Sequence, residues 1–399
     1  MRFDPIPRCR PATLSLLAGL TATLTLGLGA APVMAQVYAP PPPPEPVQPP
    51  PVTPAPDVPA EPESAMPHDF SFVVMPIPIS DPAIGDGLAL GGGVFYKAGG
   101  SERPWVTGAG GLYTDNGSWS AMLFQKAYIG ADRFRLVGAL GVGEFNVDFY
   151  GIGPDAGSRG VSVPITQDAG FGVVQGLMRV APHTYVGLQY RLIDMSTTLD
   201  IDPPPFPDMD LPPLELDSRT SALGLSGEFD TRDNEYQPNS GLYATGVWLV
   251  ADEAFGSDHD YSRVELKLNG YTRTNDHTVW AWRASTCWAG DDAPFYDICN
   301  FGSQADLRGY VQGQYRDHTM FAIQTEYRRN FGGRFGVVVF AGVGAVAPEF
   351  GEIGSDELLP AGGVGVRYLA SRKYGVNVGI DYAWGEDSQA LYFRVGEAF

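Results

Sequence analysis

Long hydrophobic runs are missing from this sequence once its first thirty-five residues are passed. No later stretch holds the roughly eighteen consecutive apolar residues that a membrane-spanning helix needs, so helices do not cross a bilayer here. Positive charge is scarce: 26 Lys and Arg face 46 Asp and Glu, and the basic residues form no cluster. That balance excludes a nucleic-acid surface, which requires concentrated Lys and Arg against phosphate. Histidine is sparse as well. His68, His183, His259, His277 and His318 are scattered without the spacing of an H-E-x-x-H metal site. A G-x-S-x-G nucleophile elbow is absent, since Gly224-Leu225-Ser226-Gly227 runs into Glu228. The chain therefore reads as no enzyme, with no catalytic, cofactor-binding or metal site. A hydrolase that assembles Ser, His and an acid from distant strands stands as a remote alternative.

Cysteine numbers only three. Cys9 precedes the first apolar run and cannot begin a mature lipoprotein. Cys287 and Cys299 remain, and in an oxidising compartment they either form one loop disulfide or stay free.

What is present points to sheet. Fifty Gly, 12% aromatics and 18% charged residues suit a protein whose strands carry one apolar and one polar face. Arg2, Arg8 and Arg10 precede an apolar run from Leu14 to Ala31, and Val33-Met34-Ala35 follows with small residues where a signal peptidase reads. Residues 1–35 are thus expected to be a cleaved signal peptide; a retained anchor is the alternative. Residues 36–68 are Pro-rich, with runs at Pro40 to Pro44 and Pro49 to Pro51, and read as an extended periplasmic tether. A ligand for a periplasmic or cell-wall partner is the other reading of that segment.

From residue 69 to 399 alternation dominates. Val264, Leu266 and Leu268 oppose Arg263, Glu265, Lys267 and Asn269; Val186, Leu188, Tyr190 and Leu192 oppose Gln189 and Arg191. Trp280, Trp282 and Trp288 oppose Arg283 and Ser285, and Tyr374, Val376, Val378, Ile380, Tyr382 and Trp384 oppose Gly375, Asn377, Gly379 and Asp381. Strands are predicted at 70–79, 87–97, 104–115, 118–128, 133–149, 166–181, 183–197, 218–231, 241–253, 259–273, 276–289, 317–331, 333–346, 359–370, 373–385 and 388–399. An even number of strands of about ten residues, with apolar groups outward and polar groups inward, describes a transmembrane antiparallel β-barrel of about sixteen strands. A soluble sandwich would alternate too, but an export signal and such strand lengths disfavour it. Long links at 150–165, 198–217, 290–316 and 347–358 fall at one end of this barrel, and short turns at the other. The acidic link holding Asp200, Asp202, Asp208, Asp210, Glu215 and Asp217 reads as a solvated loop, with weak divalent-cation binding as its alternative.

Three places carry a family resemblance. Asp230, Arg232, Asp233 and Asn234, with Pro238 and Gly241 following, resemble the D-x-R-D-N…P-x-x-G periplasmic turn of the BamA/TamA surface-antigen family. Leu307-Arg308-Gly309-Tyr310 resembles that family's V-R-G-F/Y loop motif, and Thr325-Glu326-Tyr327-Arg328 its twelfth strand. The chain end, with Leu391, Phe393, Val395 and Phe399 alternating against Tyr392, Arg394 and Gly396, is similar to the terminal signal read by barrel assembly machinery. The resemblance implies a loop folded into the lumen with Arg308 paired there. It differs in one respect: Phe340-Ala341-Gly342-Val343-Gly344 lacks the acid of the family's F-x-D-x-G pattern, so Glu326 is the expected acceptor.

The resemblance further implies a Gram-negative outer-membrane location among lipids and lipopolysaccharide. It implies assistance to protein insertion, secretion or lipid handling through a weak seam between first and last strands, possible client proteins, and assembly machinery during biogenesis. Residues 36–68 leave no room for the POTRA modules that many relatives carry. A passive pore or structural barrel is the alternative function. Removing Phe399 is expected to lower the assembled protein without destabilising what does assemble.

Overall fold

Side chains that alternate in polarity every second residue leave a strand with one face fit for hydrocarbon and one for water, and this chain repeats that pattern until the sheet curls on itself. The computed structural model describes residues 70–101, 103–199, 217–235, 237–302, 306–371, 376–386 and 388–399. The expected signal peptide, the Pro-rich tether, residues 200–216 of the acidic link, and Tyr374 and Gly375 lie outside the described residues.

The strands in chain order are β1 (Phe70–Asp81), β2 (Gly85–Tyr96), β3 (Trp105–Thr114), β4 (Trp119–Ile129), β5 (Phe134–Phe149), β6 (Val163–Ala181), β7 (Thr184–Leu199), β8 (Asp217–Asp230), β9 (Gly241–Ala251), β10 (Tyr261–Asn275), β11 (Thr278–Ala289), β12 (Cys299–Asn300), β13 (Arg316–Asp317), β14 (Thr319–Asn330), β15 (Phe335–Ala347), β16 (Leu359–Ser371), β17 (Val376–Trp384) and β18 (Gln389–Val395), with one short helix, α1 (Pro154–Ser158), between β5 and β6. Sixteen of them form one antiparallel sheet in sequence order, with β12 and β13 as a separate two-stranded ribbon. Each expected strand meets one strand of the barrel. The ribbon was not foreseen, because two residues carry no legible alternation. The last strand is shorter than expected and stops at Val395.

Polarity sorts the faces as the pattern requires. Leu188 and Leu266 stand 56% and 50% exposed on the outer wall, whereas Asn269, Gln324, Glu326 and Arg328 are buried on the inner one. Such outward leucines are stable only against lipid. One end of the barrel carries tight turns such as 182–183, 276–277 and 331–334, and the other carries the extended links 150–162 and 290–318. The short-turn end also holds the ten-residue turn 231–240, and the long-link end also holds the short turns 82–84 and 115–118, so the asymmetry is a tendency with exceptions at both ends. No helix among the described residues is long and apolar enough to cross a membrane.

A sheet of this kind, hydrogen-bonded along almost its whole circuit, resists detergent at room temperature. The protein is expected to fractionate with the outer membrane and to change gel mobility on boiling. Recovery from the soluble periplasm with mobility unchanged by heat contradicts this architecture.

Candidate functional site

The long link 290–318 does not stay outside the wall; it enters the lumen. Three local features direct it there. A disulfide joins Cys287 on β11 to Cys299, which settles the open question of the two thiols and closes a short loop, a constraint of about 3 kcal/mol on the unfolded chain. Cys299 pairs with Asp317 and Asn300 with Arg316 in the β12–β13 ribbon. Beneath the ribbon Phe301, Leu307, Tyr310 and Tyr315 pack with Met320, Ala322, Val346 and Leu359. The Phe301 and Tyr315 rings stack at 5.9 Å, with Tyr310 edge-on to both.

The tip of the link is Leu307-Arg308-Gly309-Tyr310. Gly309 has φ of 116°, and a Cβ there would lie 2.6 Å from the Trp384 carbonyl carbon, so only glycine fits. Its N–H donates to the Tyr392 hydroxyl at 3.1 Å, and its carbonyl accepts from the Ser388 hydroxyl. Tyr310 donates to the Pro360 carbonyl at 2.6 Å. The tip is thereby tied to β16, β18 and the β17–β18 turn.

Arg308 is wholly buried. Its Nη2 donates to Glu326 at 2.6 Å, its Nη1 to Asp381 at 2.7 Å and its Nε to Gln324 at 3.2 Å, while its guanidinium lies 3.4 Å from the Phe340 ring centre. Glu326 is thus one of the two carboxylates that meet Arg308. Asp381, which sequence reasoning had placed only on the polar face of its strand, is the second acid.

The acid missing from the third position of Phe340-Ala341-Gly342-Val343-Gly344 has a steric reason. A Cβ at Gly342 would meet Leu307 Cδ1 at 2.9 Å and the Ile323 carbonyl oxygen at 2.6 Å. Leu307 fills that space, and β17 supplies the carboxylate instead.

The network extends further. Asp381 also accepts from Arg394 at 2.9 Å and from Arg367; Glu326 accepts from Arg328 at 3.0 Å; Glu397 accepts from Arg367 at 3.0 Å and Asn377 at 2.6 Å. Four guanidinium groups and three carboxylates are linked in one network out of water, with one more positive charge than negative. Such an arrangement is stable only while every member has partners.

The 231–240 turn is built from its own side chains. Asp230 binds the backbone and guanidinium of Arg232, whose plane lies 3.7 Å from the Tyr243 ring centre. Asp233 accepts from the N–H groups of Asn239 at 2.8 Å and Ser240 at 3.1 Å, and Asn234 from that of Gln237 at 2.8 Å. Burial acts to raise the Asp233 carboxyl, but those backbone donors outweigh it and hold it below the usual carboxylate range. Gly241 has φ of 106°, and a Cβ there would meet the Thr231 carbonyl oxygen at 2.3 Å. Pro238 lines the mouth of the barrel.

The chain end departs from its expected course. Leu391 and Val395 face outward as the alternation required. Gly396, with φ of 88°, then breaks the strand and turns Glu397 to Phe399 into the lumen. Phe399 is only 8% exposed, packed with Tyr271, Ala281 and Ala398 between Arg283 and Arg328, and its carbonyl oxygen accepts from Arg328 at 2.8 Å. Phe399 is therefore no part of the lipid-facing stripe. Its removal empties a packed site, so the expectation of unchanged stability is corrected.

Backbone direction at the two sheet edges follows from neighbouring hydrogen bonds. Asp115 N–H donates to the Asp86 carbonyl at 2.8 Å, so Asp86 turns its backbone groups toward β3. Ser80, opposite Asp86 on β1, must then turn its own away from β2, and by alternation so do Pro78, Pro76 and Val74. At the other edge Gly396 N–H donates to the Asn377 carbonyl at 2.7 Å, which aims Leu391, Phe393 and Val395 at β1. The middle of β1, at Ile77 and Pro78, borders Phe393 and Val395, yet among the described residues no ladder joins β1 to β18. Proline has no N–H, so two central seam positions offer no donor.

One serine–histidine contact bears on the hydrolase alternative. Ser218 Oγ lies 2.7 Å from His259 Nε2 and 2.7 Å from the Tyr296 hydroxyl. The serine is buried, and among the described residues no carboxylate is hydrogen-bonded to the His259 ring, so the contact lacks the third member that orients a catalytic histidine.

A family model described as the Omp85 superfamily domain matches residues 107–399. Among solved structures, BamA from Haemophilus ducreyi lacking POTRA domains 1–3 is similar at 14% identity and TM-score 0.53, over 82% of this chain and 70% of that one. CdiB from Acinetobacter baumannii aligns at 11% identity and TM-score 0.54, over 83% of this chain and 60% of its own. CdiB from Escherichia coli aligns at 11% identity and TM-score 0.55, over 83% and 63%. The chain thus spans less than two thirds of either CdiB. These likenesses concern the fold. Among curated proteins none matches by sequence.

Removing one member of a buried ion pair costs about 3–5 kcal/mol, because the other is stranded. Arg308→Ala and Glu326→Ala are each expected to raise protease cleavage between residues 291 and 316, and the double variant to fall short of the sum of the singles. Asp381→Ala is expected to be worse than Glu326→Ala, since Asp381 is shared by three arginines, Arg308, Arg367 and Arg394, and Glu326 by two. Additive, near-zero effects would show that the arginine does not hold the loop.

Proposed function

The chain belongs to the Omp85 superfamily of outer-membrane barrels, and we propose that it assists protein insertion, secretion or lipid handling through the seam between β1 and β18. The observation that carries this reading is a sheet paired at every junction but one. In hydrocarbon each unsatisfied backbone group costs several kcal/mol, so an unpaired edge is retained only where water, a polar lipid group or another strand meets it. Pro76 and Pro78 keep β18 from satisfying that edge in full. Protein or lipid passing between membrane and lumen would find there the one place where the wall parts without breaking a ladder.

In this reading residues 1–35 are the export signal, residues 36–68 a periplasmic tether, and the barrel assembly machinery the partner during biogenesis. The inserted loop and tail are held in the lumen by a shared ion network, and no chemical step is assigned to the barrel. A passive pore accords poorly with a lumen into which Phe301, Leu307, Tyr310, Tyr315 and Phe399 are packed.

The test is complementation of a deletion strain. Loss of the gene is expected to mislocalise a subset of envelope proteins or lipids, and the wild-type protein to restore them. Pro76→Val/Pro78→Val, which returns two donors to the seam, is expected to assemble with normal heat-modifiable mobility but to restore them at least fivefold less well. Full restoration by that variant contradicts a working seam.

A further inference from the structure

Acidic residues outnumber basic ones in this chain, 46 to 26, yet five arginines gather at the periplasmic mouth of the barrel. Arg273, Arg328, Arg329, Arg334 and Arg367 line one cavity together with only two carboxylates, Asp276 and Glu397. Arg367 is satisfied by Asp381 and Glu397. The remaining guanidinium groups are less completely paired, Arg328 having Glu326 and, at 3.8 Å, Glu397 on its Nε alone. Arg328 spends its Nε on Glu326 and its Nη2 on the Phe399 carbonyl, while its Nη1 is buried without a hydrogen-bond partner. Arg329 donates to the neutral Thr278 hydroxyl at 3.0 Å and Arg334 to the Tyr368 hydroxyl and Leu369 carbonyl, and neither has an ion pair among the described residues. Arg273 reaches its nearest carboxylate, Asp233, only at 3.7 Å. A buried guanidinium nitrogen with nothing to donate to is costly, and an excess of positive charge around it selects an anion as the missing partner.

The position of the cluster says what kind of anion. On the outer face of the wall Trp280 pairs with Tyr327, and two residues nearer the periplasm Thr278 pairs with Arg329. That step is about 7 Å along a strand, which places Arg329 just below a lipid-facing aromatic pair. Arg334 sits between Phe331 and Phe335, each 65% exposed. A soluble anion would have no use for these rings. An amphiphile would, because its phosphate and its acyl chains lie at these two depths at once.

We propose that the cavity bounded by Arg273, Arg328, Arg329 and Arg334 is a binding site for the phosphate of an anionic glycerophospholipid in the periplasmic leaflet. Arg329 and Arg334 meet the headgroup at the membrane edge, and Arg328 Nη1 donates to a phosphate oxygen from inside. A zwitterionic headgroup fits less well, since its ammonium is repelled by the same arginines. The site is independent of the β1–β18 seam and stands whether or not the seam works as proposed.

The test is native mass spectrometry of the purified detergent-solubilised protein given phosphatidylglycerol, phosphatidylethanolamine or inorganic phosphate. Phosphatidylglycerol is expected to remain bound at least fivefold more than phosphatidylethanolamine. Arg329→Gln/Arg334→Gln changes two exposed side chains outside the lumen network, so it is expected to keep heat-modifiable mobility while losing at least fivefold of that retention. Arg328→Lys, which keeps a charge beside Glu326 but removes the planar donor, is expected to lose retention as well. Equal retention of the two lipids, or unchanged retention in Arg329→Gln/Arg334→Gln, overturns the proposal. Binding of inorganic phosphate that displaces the lipid preference altogether would make this a site for a soluble anion, and would overturn it too.

Discussion

A charged side chain inside a barrel must be neutralised by groups the wall itself provides, because the lumen offers little water and the lipid none. Arg308 imposes that condition here. It enters on a long loop, and its charge is met by Glu326 from β14 and Asp381 from β17, which in turn hold Arg328, Arg367 and Arg394. Each acid is shared, so no pair is independent of the next. The result is a brace that ties the loop to β14, β16, β17 and β18 from within.

That brace explains how β18 keeps its place. Every other barrel strand has a hydrogen-bonded neighbour on both sides, apart from β1, the opposite edge. β18 has a ladder only to β17, and its inward residues Tyr392 and Arg394 are held instead by Gly309 and Asp381. The tail beyond it is secured by Glu397 and by the Phe399 carbonyl. Stability at this edge therefore comes from the lumen, not from the neighbouring strand. The seam can stay unpaired without the last strand drifting, and the two prolines of β1 keep it so.

Much of this was legible in the sequence and some was not, for physical reasons that differ by residue. Strand number and facing could be read because a period of two survives wherever one face meets lipid, as at Leu188 and Leu266. Arg308 and Glu326 could be placed because a lone arginine beside a glycine, ahead of a strand with an inward acid, has few ways to be satisfied. Asp381 lay on a recognised polar face, but which arginine it meets depends on how three strands curve toward one another, and no local pattern records that. The absence of an acid at Gly342 looked like a missing mechanism, whereas it reflects the volume of Leu307. The inward turn at Gly396 was obscured by a terminal aromatic that continued the expected stripe on paper. The prolines at 76 and 78 were visible throughout, yet their meaning required knowing which way the backbone of β1 faces.

The central claim is that β18 is held from the lumen while its edge toward β1 is free. Hydrogen–deuterium exchange of the assembled barrel in nanodiscs tests it most directly. Amides of Val74, Ser80, Leu391, Phe393 and Val395 are expected to exchange far faster than those of β6 and β7, and Arg308→Ala to accelerate exchange through β17 and β18 while leaving β6 and β7 unchanged. Protection at the seam equal to that of β6 and β7, with no response to Arg308→Ala, would contradict the account.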